Sequence, residues 1–123
     1  MKLNPDCVRD ILLYCEEVGD RDIACFEQTY FMFNSHTYNY DETYYHLKQC
    51  EMYGFFSEHY EFPETFDIID ISPAAHEFLS NVRENSNWNR TKEIAEQIGT
   101  FSLSVLTDIA AKVIDRANGK DIT

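Results

Sequence analysis

The chain is poor in positive charge, in glycine and in long apolar runs. Its 123 residues hold 10 Lys and Arg against 22 Asp and Glu, a formal charge of -12, and only four glycines. No P-loop or dinucleotide-binding glycine pattern occurs, and no apolar run approaches the ~20 residues that span a bilayer. The sequence therefore excludes a membrane-spanning segment and a glycine-rich phosphate loop, and its acidity opposes a general affinity for phosphate.

The four cysteines show no metal-binding spacing. Cys7, Cys15, Cys25 and Cys50 include no C-x-x-C pair, and the first residues carry no signal-peptide pattern. We therefore expect a cytoplasmic protein in which all four thiols stay reduced and buried. Hydrophobic residues make up 44% of the chain and aromatic residues 15%. The chain is therefore too rich in core-forming side chains for disorder.

Local signals predict an α+β fold of the winged-helix type. Asn4 and Pro5 start a first helix that ends near Gly19, and Asp41 is expected to cap a second helix that ends at Gly54. Two β-favouring runs then follow, and the order helix, glycine, hairpin is typical of a helix with a β-hairpin wing. Residues 23–40 fit either a strand pair or a short helix, with turns at Asn34-Ser35 and at Tyr38-Asn39.

The rest of the chain is predicted to be helical. Ser72 and Pro73 begin a helix behind the wing, and residues 88–98 and 104–118 form two further helices, the second closed by Gly119. We expect one domain over residues 1–123. It comprises a winged-helix-like portion at 1–82, a C-terminal helical hairpin at 83–119 and a tail at 120–123.

The negative charge is concentrated in the first part of the sequence. Residues 1–70 carry 4 Lys and Arg against 15 Asp and Glu, net -11, whereas residues 71–123 carry 6 against 7, net -1. Between Arg21 and Arg83 the only lysine or arginine is Lys48. Since DNA-binding proteins gain affinity by neutralising phosphates, this helix and wing would repel DNA.

Aromatic residues crowd into the same region. Fourteen of the 18 lie between Phe26 and Phe66, which is more than about forty residues can readily bury. Tyrosines beside carboxylates suit a protein-binding surface. We therefore predict an acidic, tyrosine-rich face whose partner-binding residues are Glu42, Tyr45, Glu51, Glu58, Glu61 and Glu64.

Signals for catalysis and for cofactors are weak. His46 and Cys50 lie four residues apart on the second helix, but two ligands without a second pair do not make a zinc site. No nucleophile, base and orienting partner can be assembled from the sequence. We expect no enzyme activity, no catalytic residue, no metal and no cofactor.

Four ordered blocks of the sequence resemble a known family. They are residues 1–13 (MKLNPDCVRDILL), 45–50 (YHLKQC), 70–79 (DISPAAHEFL) and 88–95 (WNRTKEIA). Together they resemble a family of short, uncharacterised proteins found in phages and prophages of Gram-positive bacteria, a domain of unknown function with a winged-helix-like fold. The resemblance implies that fold and the cytoplasm of a bacterial host, and it implies no activity or site residues.

Two functions follow as the main hypotheses, and a third is a structural or assembly adaptor whose functional surface is the apolar stripe of the last helix. The first is a non-enzymatic protein whose acidic face binds another protein, such as a basic nucleic-acid-handling host protein that the face inhibits as a DNA mimic. The alternative is a transcriptional regulator that binds DNA as a dimer, with His46, Lys48 and Gln49 near the groove and the C-terminal helices as the dimer interface. Direct binding to nucleic acid is the less favoured of the two.

Overall fold

The computed structural model describes residues 1–19 and 22–117 and confirms an α+β fold. Two compact units divide the chain, unit 1 being Met1–Ala75 and unit 2 His76–Thr123. Unit 1 contains α1 (Pro5–Val18), β1 (Ala24–Glu27), β2 (Phe31–Phe33), β3 (His36–Tyr38), α2 (Tyr40–Tyr53), β4 (Phe56–Glu61) and β5 (Thr65–Ile71). α3 (Pro73–Val82) begins in unit 1 and continues into unit 2, which also contains α4 (Asn85–Ile98) and α5 (Leu103–Ala117).

The first helix forms as its local signals predict. The Asn4 side chain caps α1 by accepting a hydrogen bond from the backbone N–H of Asp6, and Pro5 occupies the first turn, where no backbone donor is needed. Val8, Ile11 and Leu12 are fully buried along one side of the helix. This apolar stripe supplies part of the core of unit 1.

Unit 1 contains a three-stranded antiparallel sheet in the order β1-β5-β4. The predicted hairpin is formed by β4 and β5, and β1 adds to it by pairing Ala24 with Ile68 and Phe26 with Phe66. Their alternating pattern turns the side chains of Phe26, Phe66 and Ile68 into the core. The sequence predicted the hairpin but not the third strand.

Residues 31–38 form a separate hairpin from β2 and β3. Asn34 and Ser35 both have positive φ, 53° and 67°. Two successive residues with positive φ form the two-residue turn that matches the twist of paired strands. Of the two structures that fitted residues 23–40, the strand pair is therefore the one formed.

The second helix begins before the predicted cap. Asn39, not Asp41, is the N-cap of α2, because its side-chain oxygen accepts the Glu42 N–H at 2.9 Å. Asp41 lies in the first turn, where its charge is favourable beside the helix N-terminus. Gly54 ends the helix at φ 85°, a left-handed conformation that side chains disfavour, as the sequence predicted.

The helical segments of unit 2 match the predicted ones apart from their first residues. α4 begins at Asn85, three residues before the predicted start, and ends at Gly99 with φ 92°. Trp88 is buried with its ring 6.2 Å from that of Phe78 at 89°. The predicted cap Gly119, the end of the last helix at Asn118 and the tail at 120–123 lie outside the described residues.

One cysteine prediction is wrong. Cys7, Cys15 and Cys50 are buried, but Cys25 is exposed. It lies on β1 between the buried residues Ala24 and Phe26, so strand alternation turns its side chain to the outer face of the sheet. Among the described residues, no helix is both long and apolar enough to cross a membrane.

Candidate functional site: an acidic face on α2 and β4

Two glutamates converge on one lysine where α2 lies beside β4. The Nζ of Lys48 lies 3.1 Å from a carboxylate oxygen of Glu51 and 3.1 Å from one of Glu61. His59 of β4 adds a contact of 3.5 Å to Glu51. We call Tyr44, Lys48, Glu51, His59 and Glu61 the acidic face. All five are at least partly exposed to solvent.

A tyrosine hydroxyl holds one of these carboxylates in its charged form. Tyr44 donates to Glu61 at 2.5 Å, while Lys48 donates to the other oxygen of the same carboxylate. The Tyr44 hydrogen bond, with that from Lys48, lowers the pKa of Glu61. The same bond raises the pKa of Tyr44, and the carboxylates raise the pKa of Lys48. At neutral pH the face therefore presents fixed carboxylates and a protonated phenol.

The β4–β5 hairpin extends the negative surface. Glu58 is exposed, lies opposite Asp70 across the strand pair and accepts a hydrogen bond from the Tyr60 hydroxyl at 3.0 Å. Glu64 is exposed in the turn that joins the two strands. Glu58, Asp70 and Glu64 are all exposed, so this hairpin adds three carboxylates to the negative surface of unit 1.

Two of the predicted partner-binding residues lie elsewhere on α2. Glu42 precedes Glu51 by nine residues, which places the two on opposite sides of a helix that turns about 100° per residue. The Glu42 carboxylate instead accepts from the Asn4 side chain at 3.4 Å. Tyr45 packs its ring against His46, with centroids 5.0 Å apart. The structure thus brings together Glu51 and Glu61, with Glu58 and Glu64 on the adjoining hairpin, but not Glu42 or Tyr45.

The structure buries His46, one of the three residues predicted to lie near a DNA groove. This residue is fully buried, its Nε2 accepts the backbone N–H of Asn4 at 2.7 Å, and its Nδ1 donates to the Glu42 carbonyl at 2.7 Å. Burial lowers its pKa, so the ring is neutral. Lys48 is held by two carboxylates, and Gln49 is partly exposed. The three residues therefore offer DNA no uncompensated positive charge.

A polar cluster around the buried carboxylate of Asp10 was not predicted from the sequence. The carboxylate of Asp10, 1% exposed, accepts hydrogen bonds from the Tyr38 hydroxyl at 2.6 Å and from His36 Nδ1 at 2.7 Å. Burial and the bond to Asp10 raise the pKa of Tyr38. The cluster fixes the β2–β3 hairpin to α1. Its members lie 26 to 28 residues apart in sequence, so no local pattern indicates the contact.

The described residues offer no assembled metal site. No group of three or more His, Cys, Asp or Glu side chains lies close enough to hold an ion within residues 1–19 and 22–117. His46 uses both ring nitrogens for hydrogen bonds, and burial raises the pKa of the Cys50 thiol. His46 and Cys50 are therefore structural residues of the core of unit 1.

The fold and this surface define a small α+β protein with an acidic, tyrosine-lined face. The chain belongs to the family described as Hypothetical protein (DUF2513), whose match covers residues 2–102. No curated protein and no solved structure matches the chain.

Proposed function

We propose that this chain is a non-enzymatic, phage-type protein that acts in the bacterial cytoplasm by binding another protein through the acidic face. The observation that carries the proposal is the state of Lys48. The only lysine or arginine between Arg21 and Arg83 is already held by Glu51 and Glu61. The face therefore has carboxylates to offer and no free cation, which suits a positively charged partner surface.

The chemistry of the partner follows from the arrangement. Ionised carboxylates beside tyrosine hydroxyls can accept hydrogen bonds from arginine and lysine, as phosphates do, while the tyrosine rings supply rigid contact area. The partner we propose is a basic, nucleic-acid-handling protein, whose groove the acidic face would occupy in place of nucleic acid.

The fold supports this proposal at a coarse level. A winged-helix-like assignment for unit 1, with β4–β5 as the wing, is favoured by two features. One is the order α2, Gly54, β4, β5, and the other is the position of β1 beside β5. The β2–β3 hairpin precedes α2 and is an addition that the sequence left open. A fold used for DNA binding that bears an acidic wing is well shaped to compete for DNA-binding surfaces.

Affinity capture from a bacterial host, followed by competition, tests the proposal. The immobilised chain is expected to retain a basic protein, and the free chain should displace a fluorescent duplex or RNA from that protein. Replacing Glu51, Glu58 and Glu61 by lysine should abolish both effects, because six units of charge reverse on one surface. Raising the salt concentration should weaken them.

A matched control variant distinguishes an effect of the acidic face from an effect of the total charge. Lysine at Glu77, Glu96 and Asp108, all exposed residues of unit 2, makes the same change in total charge. This control variant should still bind and still displace nucleic acid. Retention of the partner by the triple variant of the face, or a partner that keeps its nucleic acid, would contradict the proposal.

The alternative, a dimeric DNA-binding regulator, receives less support from the side chains. His46 is buried and Lys48 is paired, so the proposed reading helix lacks positive charge for phosphate. A gel shift with duplex DNA at low salt discriminates the two functions, since direct binding should be strongest there. We expect no shift. Dimerisation through the C-terminal helices stays a prediction, which the molar mass in solution would test.

A further inference from the structure

A groove between α4 and α5 of unit 2 combines an apolar floor with positive charge. Its volume is about 380 Å³. The lining splits into four apolar side chains and three cationic ones, namely Ile94, Ile98, Ile109 and Val113 with Arg90, Lys112 and Arg116. None of these lining side chains is a carboxylate, although the sequence as a whole has more than twice as many acidic residues as basic ones.

The apolar part of the groove has exposed surface to cover. Ile109 and Val113 are 6% and 8% exposed, whereas Ile98 is 60% exposed, the most of any large apolar side chain in residues 76–117. Spacing of three or four residues puts the lining residues of each helix on one side, so the two helices present facing stripes. An apolar ligand that lies along the stripes would remove Ile98 from water.

The two chemistries are separated along the groove. Ile98 is the last residue of α4, next to the four-residue connection 99–102, and Ile109 lies near the middle of α5. Arg90 lies eight residues before Ile98, about 12 Å away at about 1.5 Å per residue. Lys112 and Arg116 lie late in α5, and the helices lie side by side after a short connection. The cations thus share one end of the groove, and the isoleucines lead from it towards the connection.

The cationic end has capacity for an added anion. Arg90 donates to Glu93 at 2.6 Å, on the exposed side of α4. Lys112 is exposed and forms no ion pair with any described residue. A carboxylate that reached Lys112 and Arg90 would gain charge-assisted hydrogen bonds in a chain whose overall charge otherwise repels anions.

We propose that this groove binds a free linear aliphatic carboxylate. The carboxylate lies at the end formed by Arg90, Lys112 and Arg116, and the alkyl chain lies over Ile94, Ile98 and Ile109. With C–C bonds of about 1.5 Å, an extended chain of about ten carbons spans the same distance as the groove. This ligand class does not depend on the acidic face.

Titration of the ¹⁵N-labelled full chain with decanoate below its micelle concentration tests the proposal. Saturable shifts are expected in the amide signals of α4 and α5 and not in those of unit 1. Octanoate should bind about fifteenfold more weakly than decanoate, since two fewer methylenes are buried. Acetate, which has no chain, and decyltrimethylammonium, which has the opposite head group, should leave these signals unchanged.

Two variants locate the ligand, each with a control. Lys112→Gln should weaken decanoate binding about threefold. Gln97→Glu, which changes the charge equally at an exposed site of α4 that does not line the groove, should leave the affinity unchanged. Ile98→Thr should weaken binding about tenfold, whereas Ile23→Thr at an exposed site of unit 1 should not. These substitutions are at exposed positions, so the variants should fold.

Several results would overturn the proposal. One is unsaturable shifts, and another is equal shifts with decanoate and acetate. A third is a response of the same amides to decyltrimethylammonium. Broadening of α4 and α5 signals with protein concentration, undiminished by decanoate, would assign the groove to a second copy of the chain instead.

Discussion

Polar side-chain contacts inside unit 1 join residues that are far apart in the sequence. In unit 1, Tyr38 and His36 reach Asp10 across 28 and 26 residues, and Asn4 reaches His46 across 42. In unit 2, Thr91 donates to the Asn87 carbonyl one turn earlier on α4, and Ser102 accepts the Val105 N–H at the start of α5. Long-range polar contacts require an already folded chain, so unit 1 depends in part on single buried groups such as the Asp10 carboxylate.

The units also differ in charge. Residues 1–75 carry 4 Lys and Arg against 15 Asp and Glu, net -11, and residues 76–123 carry 6 against 7, net -1. The excess is therefore confined to the unit that contains the sheet. The acidic face thus lies in unit 1, and the groove edged by Arg90, Lys112 and Arg116 lies in unit 2.

Removal of the Asp10 carboxylate should have the largest effect on stability of the variants that compare the two units. Asp10→Ala leaves the buried Tyr38 hydroxyl and the His36 ring nitrogen without their acceptor, and we expect the free energy of unfolding to fall by about 3 kcal/mol. Thr91→Val in unit 2 removes a bond within one helix and should cost no more than about 1 kcal/mol. Urea unfolding measures both. Equal losses would show that contact range does not distinguish the units.

Acid should weaken unit 1 through His46. Burial lowers its pKa in the folded protein below the ordinary value of 6.5. The unfolded chain therefore binds the proton more readily, so the stability is fully present above pH 6.5 and falls as the pH drops below it. Urea midpoints from pH 7.5 to 5 should decline, and less steeply in His46→Gln.

The exposed His76 of unit 2 provides the control for that experiment. His76→Gln should leave the pH dependence of the wild-type protein in place. If His46→Gln declined as steeply as the wild type, the acid sensitivity would come from other groups.

The smallest effect is expected on the acidic face. Tyr44→Phe removes the hydroxyl that donates to Glu61, so the pKa of Glu61 should rise towards its ordinary value, as ¹³C chemical shifts of the carboxyl group would show. The stability should change by less than about 0.5 kcal/mol, because the pair is exposed. Tyr40→Phe, a neighbouring ring whose hydroxyl has no contact with Glu61, is the control. A pKa of Glu61 that stayed low in Tyr44→Phe would assign the shift to Lys48 alone.

Local chemistry explains which parts of the fold were predictable. Asn4, Ser72, Gly54 and Gly99 act on backbone groups within a few residues, so the helix ends that they form could be predicted. The choice of Asn39 over Asp41 as a cap depends on one residue's backbone angles, which composition does not reveal. The pairing of β1 with β5 joins residues 38 to 44 positions apart and has no local signal.

The candidate site was predictable only in part. The acidic and aromatic composition of residues 26–66 indicated a negative face with tyrosines, and Glu51 and Glu61 do lie together. Their shared contact with Lys48 depends on how α2 lies against β4, which sequence spacing does not determine. Helical geometry alone could have separated Glu42 from Glu51, because nine residues amount to two and a half turns. The burial of His46 could not have been found in the same way.

The outward turn of Cys25 has a practical consequence for anyone who handles this protein. Partial desolvation of the Cys25 sulfur and its hydrogen bond with Asp67 raise the pKa of Cys25 to about 11. At neutral pH it is therefore a thiol with little thiolate. We therefore expect it to oxidise slowly in air, although it is the one exposed cysteine of the four. Because the other three thiols are shielded, alkylation in mildly alkaline buffer should place a single dye on the outside of the sheet without mutagenesis.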